Sequence, residues 1–110
     1  MLVETDRFKS DVQDPGPMLT KQIKALGGDQ AQVCLKRKRP WASITFSGTR
    51  HSFAVISTTA PDSKVIEELA RALPDHEFAI PDHFVADILI TEQTKTQLQV
   101  EILSIIDPIN

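Results

Sequence analysis

The stretch PDHEFAIPDHF, Pro74 to Phe84, repeats the tripeptide Pro-Asp-His seven residues apart in a chain with three histidines. Two imidazoles with carboxylates beside them are the raw material of a metal site or an acid–base couple. The spacing argues against a shared ion. If EFAI is extended, an advance of about 3.3 Å per residue puts His76 and His83 roughly 20 Å apart, whereas co-ligands lie about 2 Å from one ion. An odd separation also sends the two side chains to opposite faces of a strand. Turn chemistry explains the repeat better: Pro fixes φ, Asp accepts turn hydrogen bonds, and the two triplets bracket a short strand. Neither a metal nor any other cofactor is expected.

The run KRKRPW places Lys36, Arg37, Lys38 and Arg39 beside Trp41. Adjacent cations can hold phosphates while an indole stacks on a base, so anion or nucleic-acid binding is one reading. On a strand only alternate members share a face: Lys36 and Lys38 point one way, Arg37 and Arg39 the other. Pro40 implies an edge or a bend, and charged edges serve to block sheet-to-sheet aggregation. A solvated edge, or an interface for an acidic protein partner, therefore competes with the nucleic-acid reading, and Trp41 suits a core or interface anchor.

TRHSF supplies Arg50 and His51, where an imidazole could act as a general base and a guanidinium could clamp an anion. With His83 and Asp87 these complete the one set from which a small enzyme could be built. The plainer expectation is an exposed cross-strand position for Arg50 and His51, a solvated strand position for Asp87, and a small apolar filler for Cys34. No nucleophile is assignable. There is no Walker loop, no nucleophile elbow, no G-x-G-x-x-G before a helix and no paired-cysteine metal motif.

The elements that must position these residues are legible in the apolar spacing. In PMLTKQIKALGG, Leu19, Ile23 and Leu26 recur at helical intervals, with Pro17 in the first turn and Gly27 at the stop. KVIEELARAL places Ile66, Leu69, Ala70 and Leu73 likewise, with Asp62 and Ser63 as capping candidates, Glu67 and Arg71 paired outside, and Pro74 ending the helix. WASITF alternates through Ala42, Ile44 and Phe46, and HSFAVI through Phe53 and Val55, with SGTR between them as a hairpin turn. EFAI reads as a brief strand. FVADILIT turns Phe84, Ala86, Ile88 and Ile90 one way, and QLQVEILSI does the same with Leu98, Val100 and Ile102, leaving Asp87, Gln97, Gln99 and Glu101 to water.

These elements predict an α+β fold, with two helices on one face of an antiparallel sheet of five or six strands. Two similar αβββ halves are expected, because Ala25-Leu26 and Phe53-Ala54-Val55 correspond to Ala72-Leu73 and Val100-Glu101-Ile102 at one offset of 47. Residues 1–17, with SDVQDPGPM clustering Pro, Gly and Asp, read as an irregular arm, and residues 18–110 as a single domain.

Bulk properties agree with one globular domain: 110 residues, 41% hydrophobic and 25% charged. A lone cysteine makes no internal disulfide and fits a reducing compartment. No apolar run reaches the roughly 18 to 20 residues of a spanning helix, and the first residues lack a signal peptide's apolar centre, so a cytoplasmic protein without membrane contact is expected. The net charge of −3 hides a dipole: residues 30–61 sum to +5, residues 62–110 to −7 and residues 1–29 to −1.

GTRHSF, IPDHFVADILIT and LQVEILSI together resemble a group of short, uncharacterised bacterial α+β proteins, over about residues 40–106. The resemblance implies a bacterial cytoplasmic origin and a recurring fold, and it carries no activity. The leading functional expectation is a non-catalytic binding or assembly module, a homo-oligomer joined through sheet edges or the N-terminal arm, with a further protein partner possible. Anion or nucleic-acid binding through Lys36 to Arg39, Arg50 and Trp41 is the second, and an enzyme using Arg50, His51, His83 and Asp87 the third.

Overall fold

The computed structural model describes residues 13–59 and 63–108. In chain order these form α1 (Gly16–Gly27), a 3-10 turn (Gly28–Gln30), β1 (Ala31–Ala42), β2 (Ser47–Ser57), α2 (Val65–Ala72), a second 3-10 turn (Leu73–Asp75), β3 (His83–Gln93) and β4 (Gln97–Ile106). The expected arm at 1–17 lies largely outside the described residues, and the helix begins two positions earlier than expected, at Gly16. Pro17 occupies its first turn, where the missing N–H costs nothing, and Gly28 ends it at φ 61°.

The strands form one antiparallel sheet in the order β1-β2-β4-β3. Helix followed by hairpin occurs twice, and the second strand of each hairpin lies at the centre, so β2 and β4 pair with each other. Each half is therefore αββ, and the sheet has four strands where five or six were expected. Phe53 and Val100, which the offset of 47 equates, are direct cross-strand partners. An approximate two-fold axis passing between the central strands has that consequence.

Both helices pack on one face. Leu19 and Ile23 from α1, and Val65, Ile66 and Leu69 from α2, meet Phe53, Val55, Leu98, Val100 and Ile102 in one buried cluster. Fully burying a Leu, Ile or Phe side chain stabilises by roughly 1.5–3 kcal/mol, so this single seam holds the layers together. The helices approach closely at Gly27, where an added Cβ would stand 3.1 Å from Ala31 Cβ and 3.3 Å from Leu69 Cδ1. Glu67 and Arg71 pair on the outer side of α2, and Ser63 Oγ accepts from the Val65 amide at its start. Asp62, the other capping candidate, is outside the described residues.

Three departures from the expected elements have physical causes. WASITF is not a strand: β1 ends at Ala42, and Ser43–Phe46 is the hairpin connection, closed by Ser43 N–H to Phe46 O at 2.8 Å and by Phe46 N–H to Ser43 Oγ at 3.1 Å. A serine that satisfies the turn itself moves the bend four residues upstream of SGTR, which becomes the start of β2. EFAI does not join the sheet, because Gln22 from α1 supplies its backbone partners, donating to Ala79 O at 2.8 Å and accepting from Ala79 N at 3.1 Å. Lastly, the β3–β4 register shifts between Val85 and Asp87, so Val85, Ile88 and Ile90 reach the core while Phe84 stands on the other side.

Candidate functional site

The side of the sheet away from the helices carries no covering layer among the described residues. Cross-strand registers arrange it in rows running from β1 to β3. Trp41, Gly48, Ile105 and Phe84 form one row; Arg39, Arg50, Leu103 and Asp87 the next; Arg37, Ser52, Glu101 and Leu89 the third. Beyond these come Cys34, Ala54, Gln99 and Glu92. The first two rows are apolar at the centre, with Ile105 and Leu103 buried at 3% and 6% exposure, and Phe46 from the hairpin connection meets Phe84 edge to face at 6.0 Å between centroids. Phe84 and Leu89 remain 40% and 49% exposed and Ile56 40%, which is large for such side chains on one sheet face.

Charge divides this face across its width. β1 and β2 contribute Arg37, Arg39 and Arg50; β3 and β4 contribute Asp87, Glu101 and Glu92. Arg50 reaches across the boundary, 3.7 Å from Glu101 and 4.0 Å from Asp87. Arg39 has no ion pair among the described residues. It shares with Pro40, Trp41 and Arg50 a small concavity of about 180 Å³. The sequence dipole thus becomes a left-to-right polarity on an uncovered surface.

The basic run is split as strand alternation requires. Arg37 and Arg39 lie on the open face. Lys38 lies on the helix side, where its ammonium binds Asp14 Oδ2 and holds that carboxyl below its usual range, with the Gly16 amide at 3.0 Å as a second donor. The register shifts between Leu35 and Arg37, which makes Lys36 the extra residue of a bulge. Cys34 is exposed on the open face, not buried as a filler.

His51 is not exposed either. It is fully buried on the helix side, opposite Lys38 and Ile102, with Nε2 3.1 Å from Ser104 Oγ. Ser104 Oγ donates to Thr49 O at 3.4 Å, so in the fitting tautomer Nε2–H donates to Ser104 Oγ, and Nδ1 has no hydrogen-bond partner among the described residues. Burial pushes the imidazole below its ordinary range; Asp14 opposes this, while Lys38 and His83 add to it. A neutral core histidine is the result. Arg50 and Asp87 are on the opposite side of the sheet, and His83 lies at its margin, its Nδ1 donating to Pro81 O at 2.8 Å. The four residues of the enzyme reading do not converge.

EFAI is not a strand, and His76 and His83 both line an open cavity of about 580 Å³, beside Phe78 and Val85. The His76 ring is taken by an edge contact with Phe78 at 4.6 Å. Among the described residues no three His, Cys, Asp or Glu side chains gather as metal ligands. No described helix is long and apolar enough to cross a membrane.

No protein-family model matches the sequence, and no curated protein is detectably similar to it. The site is therefore argued from its own geometry. Sequence alternation places Arg50, Asp87 and Glu101 here; it puts Phe84 on the core side, because the bulge that turns Phe84 outward leaves no mark in the residue pattern, and reading WASITF as a strand hides Phe46.

Proposed function

We propose that this protein is a non-catalytic binding and assembly module, of bacterial cytoplasmic origin, that self-associates through the open face of its sheet. The observation that supports this most is the exposure of Phe84 and Leu89 on β3, on a face whose apolar residues Leu103 and Ile105 are already buried. Because Phe84 and Leu89 are 40% and 49% exposed, covering either contributes roughly 0.6–1.5 kcal/mol, less the ordering of its neighbours. Four strands about 4.8 Å apart and some ten residues long present roughly 600 Å² in projection, close to the ~800 Å² per partner of a standard interface.

The sheet edges suit this role less well. β1 carries the Lys36 bulge and Pro40, and β3 carries register shifts at two places, all devices that disfavour pairing with another strand. The N-terminal arm lies mostly outside the described residues.

A native mass spectrum of the gently purified protein tests the proposal, with Phe84→Glu as the comparison. A multiple of the chain mass that falls to the single chain in the variant supports it. A single chain for the parent at tens of micromolar refutes it.

Anion or nucleic-acid binding is the second reading, favoured by Arg39, Arg50 and Trp41 around the small concavity, with Arg37 in the next row of the same face. Asp87 and Glu101 beside Arg50 oppose a polyanion there. Trp41, the one tryptophan, reports binding directly: a fluorescence change with single-stranded RNA that fades steeply with salt supports this reading. No response at low salt removes it.

A further inference from the structure

Resting on that self-associating face, the arrangement of charge and apolar residues specifies how two copies meet. We propose that the partner is a second copy of this chain, stacked face to face about a two-fold axis running along the strands.

Two simple in-plane orientations of such an axis are available to stacked sheets. An axis running across the strands would set β1 over the partner's β1 and reverse its direction. Arg37 would then face its own counterpart and Arg39 would face Cys34, and the apolar end, with Trp41, Phe46, Phe84 and Ile105, would cover the end where Ile56 lies between Gln32 and Gln97. An axis along the strands sets β1 over the partner's β3 and β2 over the partner's β4, and keeps each end over its own kind. Arg39, which lacks an ion pair among the described residues, then approaches Asp87 of the partner copy in the same row. Trp41 meets Phe84, and Ser52 meets Glu101. Every such contact occurs twice, as a closed two-fold interface requires. Stacked sheets are offset by about 30° through their twist, which shifts the outer strands by a residue or two and leaves the pairing of basic edge with acidic edge unchanged.

The complementarity is across the width of a single face, so charge reversal reads it out specifically. Arg39→Glu alone places two acids at each outer contact, and Asp87→Arg alone places two cations there. Mixed together, the two variants restore opposite charges at both contacts of a heterodimer. Sedimentation and native mass spectrometry are expected to show each variant dimerising at least tenfold more weakly than the parent, and their equimolar mixture forming the heterodimer at near-parental strength. Circular dichroism checks folding; Arg39→Gln and Asp87→Asn read the same coupling at smaller amplitude should a reversal unfold the chain.

A parent dimer that Phe84→Glu dissociates, but whose charge variants neither weaken nor complement each other, overturns this arrangement and leaves open-face association standing. A parent that is monomeric, or whose dimer survives Phe84→Glu, overturns both.

Discussion

Arg39 and Arg50 stand directly opposite each other on β1 and β2, a like-charged cross-strand pair on the open face. Among the described residues only Arg50 is neutralised, since Glu101 and Asp87 both lie against it. Like charges in that position oppose strand pairing, and the hairpin tolerates them because the next two strands bring carboxylates to the same row and its neighbour. The same distribution leaves a cationic edge and an anionic edge on one surface. Folding constraints and interface chemistry here share residues.

Removing the compensating carboxylate is expected to expose the repulsion. Glu101→Ala should lower stability by about 0.5–1 kcal/mol, a modest figure because the pair is partly solvated. In an Arg39→Gln background the same change should cost less, since the opposing cation is gone. Urea denaturation of the four proteins of this cycle measures the coupling; strictly additive losses would show that Glu101 does not offset the charge of Arg39.

His51 makes stability depend on pH in a predictable direction. Its folded-state pKa is depressed by burial, so both states are neutral above the ordinary histidine value near 6.5 and the contribution is fully present there. As pH falls below about 6.5 the unfolded chain takes up a proton that the folded chain refuses. Stability declines until the folded-state value is passed. The groups facing the ring are Asp14, Lys38 and His83, and among them only Asp14 favours its charged form. Urea midpoints at pH 7.5 and 5.5 should therefore differ in the parent, and the difference should shrink in His51→Gln. An unchanged difference would assign the pH dependence to other groups.

Legibility in the sequence followed the range of the interactions. Helices α1 and α2 were read correctly because their periodicity, Pro17, Gly27 and the Glu67–Arg71 pair are local. The alternation of Leu98, Val100 and Ile102 marked β4 for the same reason. The hairpin turn was misplaced because Ser43 satisfies the backbone of Phe46, a contact that composition does not distinguish from a strand serine. EFAI was misread because its partner, Gln22, is 57 positions away. A turn at SGTR predicts an exposed His51; with the turn at Ser43–Phe46, His51 falls in mid-strand and is buried on the helix side. On the open face Arg50, Asp87, Leu89 and Glu101 followed from alternation, whereas Phe84 and Glu92 depended on register shifts.

Gln22 offers a direct check of that long-range contact. With its amide gone in Gln22→Ala, the Ala79 amide loses its described acceptor and should exchange with solvent faster, while the sheet amides keep their protection. The global cost should be about 1 kcal/mol or less, because the contact is exposed. Amide hydrogen exchange followed by NMR separates the two; uniform acceleration would mean that the segment is part of the cooperative core.

Gly48, on the open face, has β4 backbone closer to its missing Cβ than any other described glycine has a neighbour. A Cβ there would stand 2.0 Å from Ser104 O and 3.0 Å from Ile105 Cα, both backbone atoms of β4 that cannot rotate away. Gly48→Ala must therefore push β2 from β4 at the row holding Trp41 and Phe84. Overpacking of this kind costs about 1–3 kcal/mol, against the gain usually expected when glycine leaves a strand. The two effects have opposite signs, and contact with immobile backbone decides between them. A melting temperature lowered in the variant, with loss of protection at Ser104 and Ile105 amides, is the expected result; a stabilised variant would mean that the central strands separate at this end without cost. Any such separation also tilts the surface on which Phe84 and Ile105 sit, so the variant should weaken self-association more than its loss of stability alone accounts for.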